Sequence, residues 1–314
     1  MRADAMGYTF LGMPPPSSGT VGMALVLNIL DGYKSLEFLK GFLGVHRFIE
    51  ALKHMLAIRM ALGDPDYVNV TGNVSLMLSP AFADKIRQRI VDNTTFPPSY
   101  YFPKWSQLND HGTSHLCVVD GDRNAVAMTT TVNSYFGAHV LSPSTGIVVN
   151  NEMDDFSVPA ERTPDHLPPA PANFIAPGKR PLSSMTPTII LKASIYSPVL
   201  TTAVLPVQNG QLAGVVGGSG GTNIIAAATQ LVPNEVVYEN ETVVDGEVIE
   251  LSGEAREFLR RRGHRLRSTG SGAVCQFIVQ DLLTPVAAAG DENVFHGMLT
   301  AVSDPRKGGR PAGM

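Results

Sequence analysis

A Gly-Thr bond, Gly112-Thr113, stands directly ahead of an alternating apolar run, Leu116 and Val118-Val119, and a second run follows at Ala125-Val126-Ala127-Met128. Asp120-Gly121 and Arg123-Asn124 supply turn chemistry between the runs, so the pair predicts a β-hairpin beginning at Thr113. A threonine at the start of a buried strand has one chemical consequence. If the bond before it breaks, its hydroxyl and its own α-amine lie on the same residue as nucleophile and base. The preceding stretch, 93–109, is rich in Pro, Tyr and Ser and holds Trp105. It predicts an extended connector that delivers an accessible Gly112-Thr113 bond, as a scissile segment requires.

The rest of the chain alternates helical and strand patterns. Val21 to Leu30 predicts a helix buried on all sides, with Ser17 or Ser18 as its cap. Leu36 to Leu62 predicts a helical region, with Phe38, Phe42, Val45, Ile49, Leu52 and Leu56 at helical spacing. His46, Glu50, Lys53 and His54 lie near one another on that helix and read as a solvated polar face rather than a metal site. Gly63-Asp64-Pro65-Asp66 stops it, and Pro80 to Val91 predicts a further helix. Residues 1–12 define no element. Strands are expected at Thr188 to Leu191, Val274 to Leu282 and His296 to Val302, and a short helix at Glu254 to Gly263.

Two further stretches carry candidate chemistry. Ile147 to Asp155 ends an apolar strand in the carboxylates Glu152, Asp154 and Asp155, which suit a solvated turn or a cationic ligand such as an amino-acid amine. Gly214 to Gln230 predicts strand, glycine turn and helix, with bare N–H groups suited to an anion or a developing oxyanion. Its Gly217-Gly218-Ser219-Gly220-Gly221 also matches a nucleophile elbow. A rival serine hydrolase would therefore use Ser219 with Asp281 and His296.

Composition excludes several classes. The net charge of -4 and the pI near 6.1 supply no basic field for nucleic acid. Cys117 and Cys275 are too few for a disulfide framework or a zinc site and read as buried thiols. No apolar run reaches membrane-spanning length, and the first residues lack a signal peptide's apolar core. Sequons at Asn69, Asn73, Asn93 and Asn240 nevertheless favour a secretory history and glycosylation.

The motifs together resemble the γ-glutamyltranspeptidase (glutathione hydrolase) family, in its plant-like form. The resemblance rests on PPPSSG at 14–19, HRFIEALKHMLAIRMALGDPD at 46–66, TSHLCVVDGDRNAVAMTTTVNSYFG at 113–137 and NNEMDDFS at 150–157. It continues through PLSSMTPT at 181–188, GGSGGTN at 217–223, STGSGAVCQF at 268–277 and LTAVSDPRKGG at 299–309. It implies an α+β N-terminal-nucleophile hydrolase, an αββα sandwich of two stacked sheets between helical layers, incomplete in this chain. It implies self-cleavage at Gly112-Thr113 into a mostly helical large-subunit region, 1–112, and a small-subunit region, 113–314. Thr113 would then attack the γ-carbonyl of glutathione, its S-conjugates or other γ-glutamyl compounds, with water or an amino-acid or dipeptide acceptor resolving the intermediate. The resemblance places Thr131 at the nucleophile's hydroxyl and Gly220 and Gly221 at the oxyanion. It places Asn133, Glu152 and Asp155 at the substrate α-amine and Ser183 and Ser184 at its α-carboxylate. It calls for no cofactor, metal or nucleic acid, and the family's setting is the apoplast, plasma membrane or vacuole.

Three departures from the family pattern stand out. The family chain is longer at its N-terminus, so an arginine that pairs with the substrate carboxylate has no match here, and a truncated chain is expected. Residues 193–208 are atypical. Without them Ile189-Ile190-Leu191-Lys192 runs into an Asn209-Gly210 turn and a return strand, a strong hairpin signal. The chain also passes from Gln230 to Leu231 too soon, omitting a strand. The alternative expectation is therefore an inactive, unprocessed remnant.

Overall fold

The computed structural model describes residues 1–34, 40–101, 103–105, 112–160, 167–192, 211–225, 230–232, 235–239, 242–244, 247–249, 251–269, 274–285, 297–304 and 310–313. At its centre is an antiparallel six-stranded sheet in the order β1-β2-β5-β6-β12-β13. Its strands are β1 (Arg2–Ala5), β2 (Tyr8–Gly12), β5 (Thr188–Lys192), β6 (Gln211–Ser219), β12 (Val274–Pro285) and β13 (Gly297–Ser303). The first twelve residues thus form a hairpin, contrary to expectation. Met6 and Gly7 both take positive φ, 52° and 79°, and Met6 gives no Asn-Gly or Asp-Gly signal of such a turn. The hairpin expected around residues 193–210 is present in its flanks: β5 pairs with β6, and Lys192 stands opposite Gln211. Residues 193–210 themselves, with Asn209-Gly210, lie outside the described residues.

The predicted hairpin after Thr113 is β3 (Ser114–Val119) and β4 (Ala125–Thr130), paired from Ser114↔Thr130 to Val119↔Ala125. It forms a second layer, with β3 packed on β6 and β12 and β4 on β5 and β6. The layers meet closely where the His115 ring lies over Gly217. A Cβ there would fall 2.1 Å from the imidazole, so only glycine fits. Odd-numbered side chains of the hairpin face the large sheet. Leu116, Val118, Val126 and Met128 point the other way and are exposed.

The helices pack as one cluster. Helix α1 (Gly19–Asp31) lies against β1, β2 and α2 (Gly41–Arg59), and α3 (Thr71–Met77) and α4 (Pro80–Arg87) complete the group. Val21, Leu25, Ile29, Leu52, Met55 and Leu182 form its core. Burial of α1 falls short of the all-round burial expected, because Met23, Leu27, Asn28 and Asp31 form a half-buried side. Ser79 caps α4 by accepting from Phe82 N. Helix α5 (Gly253–Arg261) is capped by Ser252 and packs on α2 and on β11 (Arg265–Thr269). Strand β11 runs parallel to β8 (Glu235–Glu239), which also pairs with β7 (Gln230–Val232). A separate pair joins β9 (Thr242–Val244) to β10 (Glu247–Ile249). Layers of helix, sheet and hairpin sheet are therefore in place, and the outer face of β3–β4 is open among the described residues. Among those residues, no helix is long and apolar enough to cross a membrane.

Candidate active site

The β3–β4 ladder ends at Ser114↔Thr130, so one step beyond it Thr131 falls beside the Gly112-Thr113 bond. Thr113 is half-buried and Gly112 exposed. The Thr131 hydroxyl donates to the Gly112 carbonyl at 2.6 Å and accepts from Asn133 N at 2.7 Å. The second bond fixes the first, because an oxygen that accepts from the backbone N–H directs its own proton to the carbonyl. Asn133 makes this possible by adopting φ 70°, a left-handed conformation that asparagine tolerates better than most residues.

Asn133 also starts a chain of contacts to the acidic turn. Its Nδ2 donates to Asn151 O at 2.8 Å, and its buried Oδ1 accepts no hydrogen bond among the described residues. Glu152–Asp155 form a 3-10 turn directly afterwards, with Asp155 buried and Glu152 half-buried. Fully buried Asn173 donates to Asp155 O at 2.7 Å and accepts from Leu182 N at 2.8 Å, tying the turn to the Ser183-Ser184 segment. Ser183 Oγ accepts from Met185 N, and Ser184 Oγ accepts from Arg59 Nη2 at 2.6 Å. Sequence reasoning missed Asn173 and Arg59. Asn173 sits in a proline-rich loop with no pattern to mark it. Arg59 ends α2, where helical spacing marks no buried charge.

Gly220 and Gly221 follow β6, the strand on which the nucleophile hairpin packs, with φ 128° and 61°. Of the helix expected to continue to Gln230, residues 226–229 lie outside the described residues. Gly221–Ile224 is one 3-10 turn, and Gln230 opens β7. The elbow reading of Ser219 fails on geometry. Ser219 is the last residue of β6, 1% exposed and opposite Val274. Asp281 lies seven residues along β12 from Val274, about 23 Å away at strand rise. His296 is outside the described residues.

His46, Glu50 and His54 of α2 are buried and Lys53 half-buried, so the expected solvated face is not found. His46 Nε2 donates to Val91 O at 2.9 Å, so its Nδ1 accepts from His264 Nε2 at 2.8 Å. His264 Nδ1 is then the acceptor facing Lys53 Nζ at 3.3 Å. Lys53 also donates to Glu50 Oε1 at 2.9 Å and to Thr95 Oγ1, and Tyr101 donates to Glu50 Oε2 at 2.6 Å. Burial pushes the histidines down, His264 to about 3 and His54 to about 4, while burial and the neighbouring Glu50 carboxylate push the Tyr101 phenol up. Donor atoms of His46, Glu50 and His264 all lie within 4.8 Å of one another. The Lys53 ammonium already supplies the positive charge there, so the cluster reads as a structural network. Helical spacing alone could not reveal this, because α2 buries a second face against α5 and the 91–101 segment. Cys117 is half-buried, with its thiol pushed up to about 11 by burial.

The Gamma-glutamyltranspeptidase family model matches residues 1–314. Glutathione hydrolase 3 of Arabidopsis thaliana is 50% identical over 99% of this chain and 52% of its own length. Glutathione hydrolase 2 of the same plant is 47% identical over 100% and 55%. The chain thus spans about half the length of the curated relatives it matches. The solved structure of LmbA2991HD aligns with 98% of this chain and 54% of its own, with a TM-score of 0.63 at 20% identity, a likeness of fold.

Proposed function

Because the chain belongs to the γ-glutamyltranspeptidase family, we propose that it cleaves itself at Gly112-Thr113 and then uses Thr113 to hydrolyse or transfer γ-glutamyl groups. The observation that carries this reading is the Thr131 hydroxyl, 2.6 Å from the Gly112 carbonyl oxygen. A donor at that position stabilises negative charge as it develops on the oxygen. Thr113 Oγ attacks the Gly112 carbonyl carbon, the C–N bond breaks and the nitrogen takes a proton. Water then hydrolyses the Gly112 ester. The products are a chain ending in a Gly112 carboxylate, 1–112, and one beginning with the Thr113 amine, 113–314.

The same residues serve the second reaction. The Thr113 amine takes the hydroxyl proton as Oγ attacks the γ-carbonyl of glutathione, a glutathione S-conjugate or another γ-glutamyl amide. N–H groups of Gly220 and Gly221 receive the oxyanion. Asn133, Glu152 and Asp155 hold the substrate ammonium, and Ser183 and Ser184 its carboxylate. The leaving amine departs protonated, and water or an amino-acid or dipeptide amine attacks the ester at Thr113. A secretory setting accompanies this reading, supported by the sequons at exposed Asn69 and Asn93.

Purified protein on a denaturing gel tests the proposal. Two fragments, the smaller beginning at Thr113 by N-terminal sequencing, are expected, together with release of 4-nitroaniline from γ-glutamyl-4-nitroanilide. Thr113→Ala is expected to abolish both. The open apolar face of β3–β4 favours a second reading, an unprocessed remnant. A single intact band without turnover would establish that reading and overturn the first.

A further inference from the structure

Arg59 closes α2 and is wholly buried. Its Nε donates to Ser18 Oγ at 2.8 Å and its Nη2 to Ser184 Oγ at 2.6 Å. The Ser18 hydroxyl in turn donates to Ser183 O at 2.7 Å, and Ser18 N donates to the same carbonyl at 2.7 Å. Ser183 N returns a bond to Pro16 O at 3.0 Å. One guanidinium therefore holds both sides of the seam between 16–18 and 183–184. A guanidinium has donors and no acceptor, so both serine oxygens must accept from it. That fixes the polarity of Ser184, whose own proton is directed away from Arg59. A hydroxyl that accepts a charge-assisted bond is also polarised into a stronger donor.

We propose that Arg59 is a positioning residue for recognition of the substrate α-carboxylate, acting through Ser184. The inference rests on the reading above that Ser183 and Ser184 take that carboxylate. Arg59 touches no substrate. It sets the direction and strength of the hydroxyl that does, and so contributes to discrimination between α-amino acids and analogues without the carboxylate.

The test compares equilibrium binding of L-glutamate with that of 4-aminobutanoate, which lacks only the α-carboxylate, by calorimetry on the purified full chain; neither ligand has an amide to be turned over. Wild type is expected to prefer the former by tenfold or more. Arg59→Met is expected to reduce that preference to about threefold or less, by weakening the carboxylate ligand while leaving the analogue unchanged. Arg59→Lys, which keeps the charge but lacks the fork, should be intermediate. Ser184→Ala should match Arg59→Met, and the double variant should lose nothing more. Circular dichroism checks folding, and Arg59→Lys with Ser184→Ala carries the test if Arg59→Met does not fold. A folded Arg59 variant that weakens both ligands equally, or neither, overturns the role of Arg59 alone. A wild-type chain with no preference, or with no binding, overturns the carboxylate site and the inference with it.

Discussion

Thr131 is held in a relay of two hydrogen bonds, and each makes a distinct demand on the side chain. The hydroxyl must accept from Asn133 N and donate to the Gly112 carbonyl, which valine cannot do despite its similar shape. Thr131→Val is expected to slow appearance of the two fragments by about 100-fold or more, the usual effect of deleting one oxyanion donor. Thr131→Ser should retain most of the rate. A gel time course after rapid purification measures both. Asn133 combines a left-handed backbone with a side-chain bond to Asn151 O. Asn133→Ala is expected to cost about 1–3 kcal/mol in denaturant unfolding, from backbone strain and a lost hydrogen bond. Asn133→Asp removes the Nδ2 donor and should keep the turn while losing that bond.

At the scale of elements, the buried network pins α2 to α5 and to the 91–101 segment. His264 and His54 are held near 3 and 4 by burial, with Lys53 and Arg89 respectively as the next contribution, and His46 is lowered by burial. In the unfolded chain histidine titrates near about 6.5. The folded form therefore binds fewer protons between those values, and stability is full above about pH 6.5 and falls as pH drops toward 4. Thermal melts at pH 7.5 and pH 5 should show the lower midpoint at pH 5, with a smaller difference in His264→Gln. Glu50 is fully buried as the partner of Lys53. Glu50→Gln is expected to destabilise by about 3–5 kcal/mol, since it strands a buried ammonium. The elements themselves were legible in the sequence where a pattern had one meaning, as in the β3–β4 alternation, the apolar run of α1 and the β5–β6 flanks. They were not legible where tertiary contacts decided. The turn at Met6-Gly7 lacks the usual residues, Gln230 opens a strand rather than ending a helix, and the charged residues of α2 look solvated until α5 covers them. In the candidate site, motifs mark Thr113, Thr131 and the acidic turn, whereas Arg59 and Asn173 make buried bonds that leave no spacing to read.

Across the whole molecule, the outer face of β3–β4 is uncovered among the described residues. Leu116, Val118, Val126 and Met128 alternate along β3 and β4 and are 43–52% exposed, a contiguous apolar surface. The chain alone is expected to bind the dye ANS in its folded state. Replacing Val118 and Val126 by Thr should lower that fluorescence without lowering the melting temperature, and unchanged fluorescence would show the face to be covered. The order of the large sheet has a different consequence. Strands β1 and β2 precede the Gly112-Thr113 bond, while β5, β6, β12 and β13 follow it, so the join between β2 and β5 unites the two products of a cut. Severing the backbone would therefore nick the particle without dividing it. Gel filtration should return a single species of unaltered size, and the pieces should part only in denaturant.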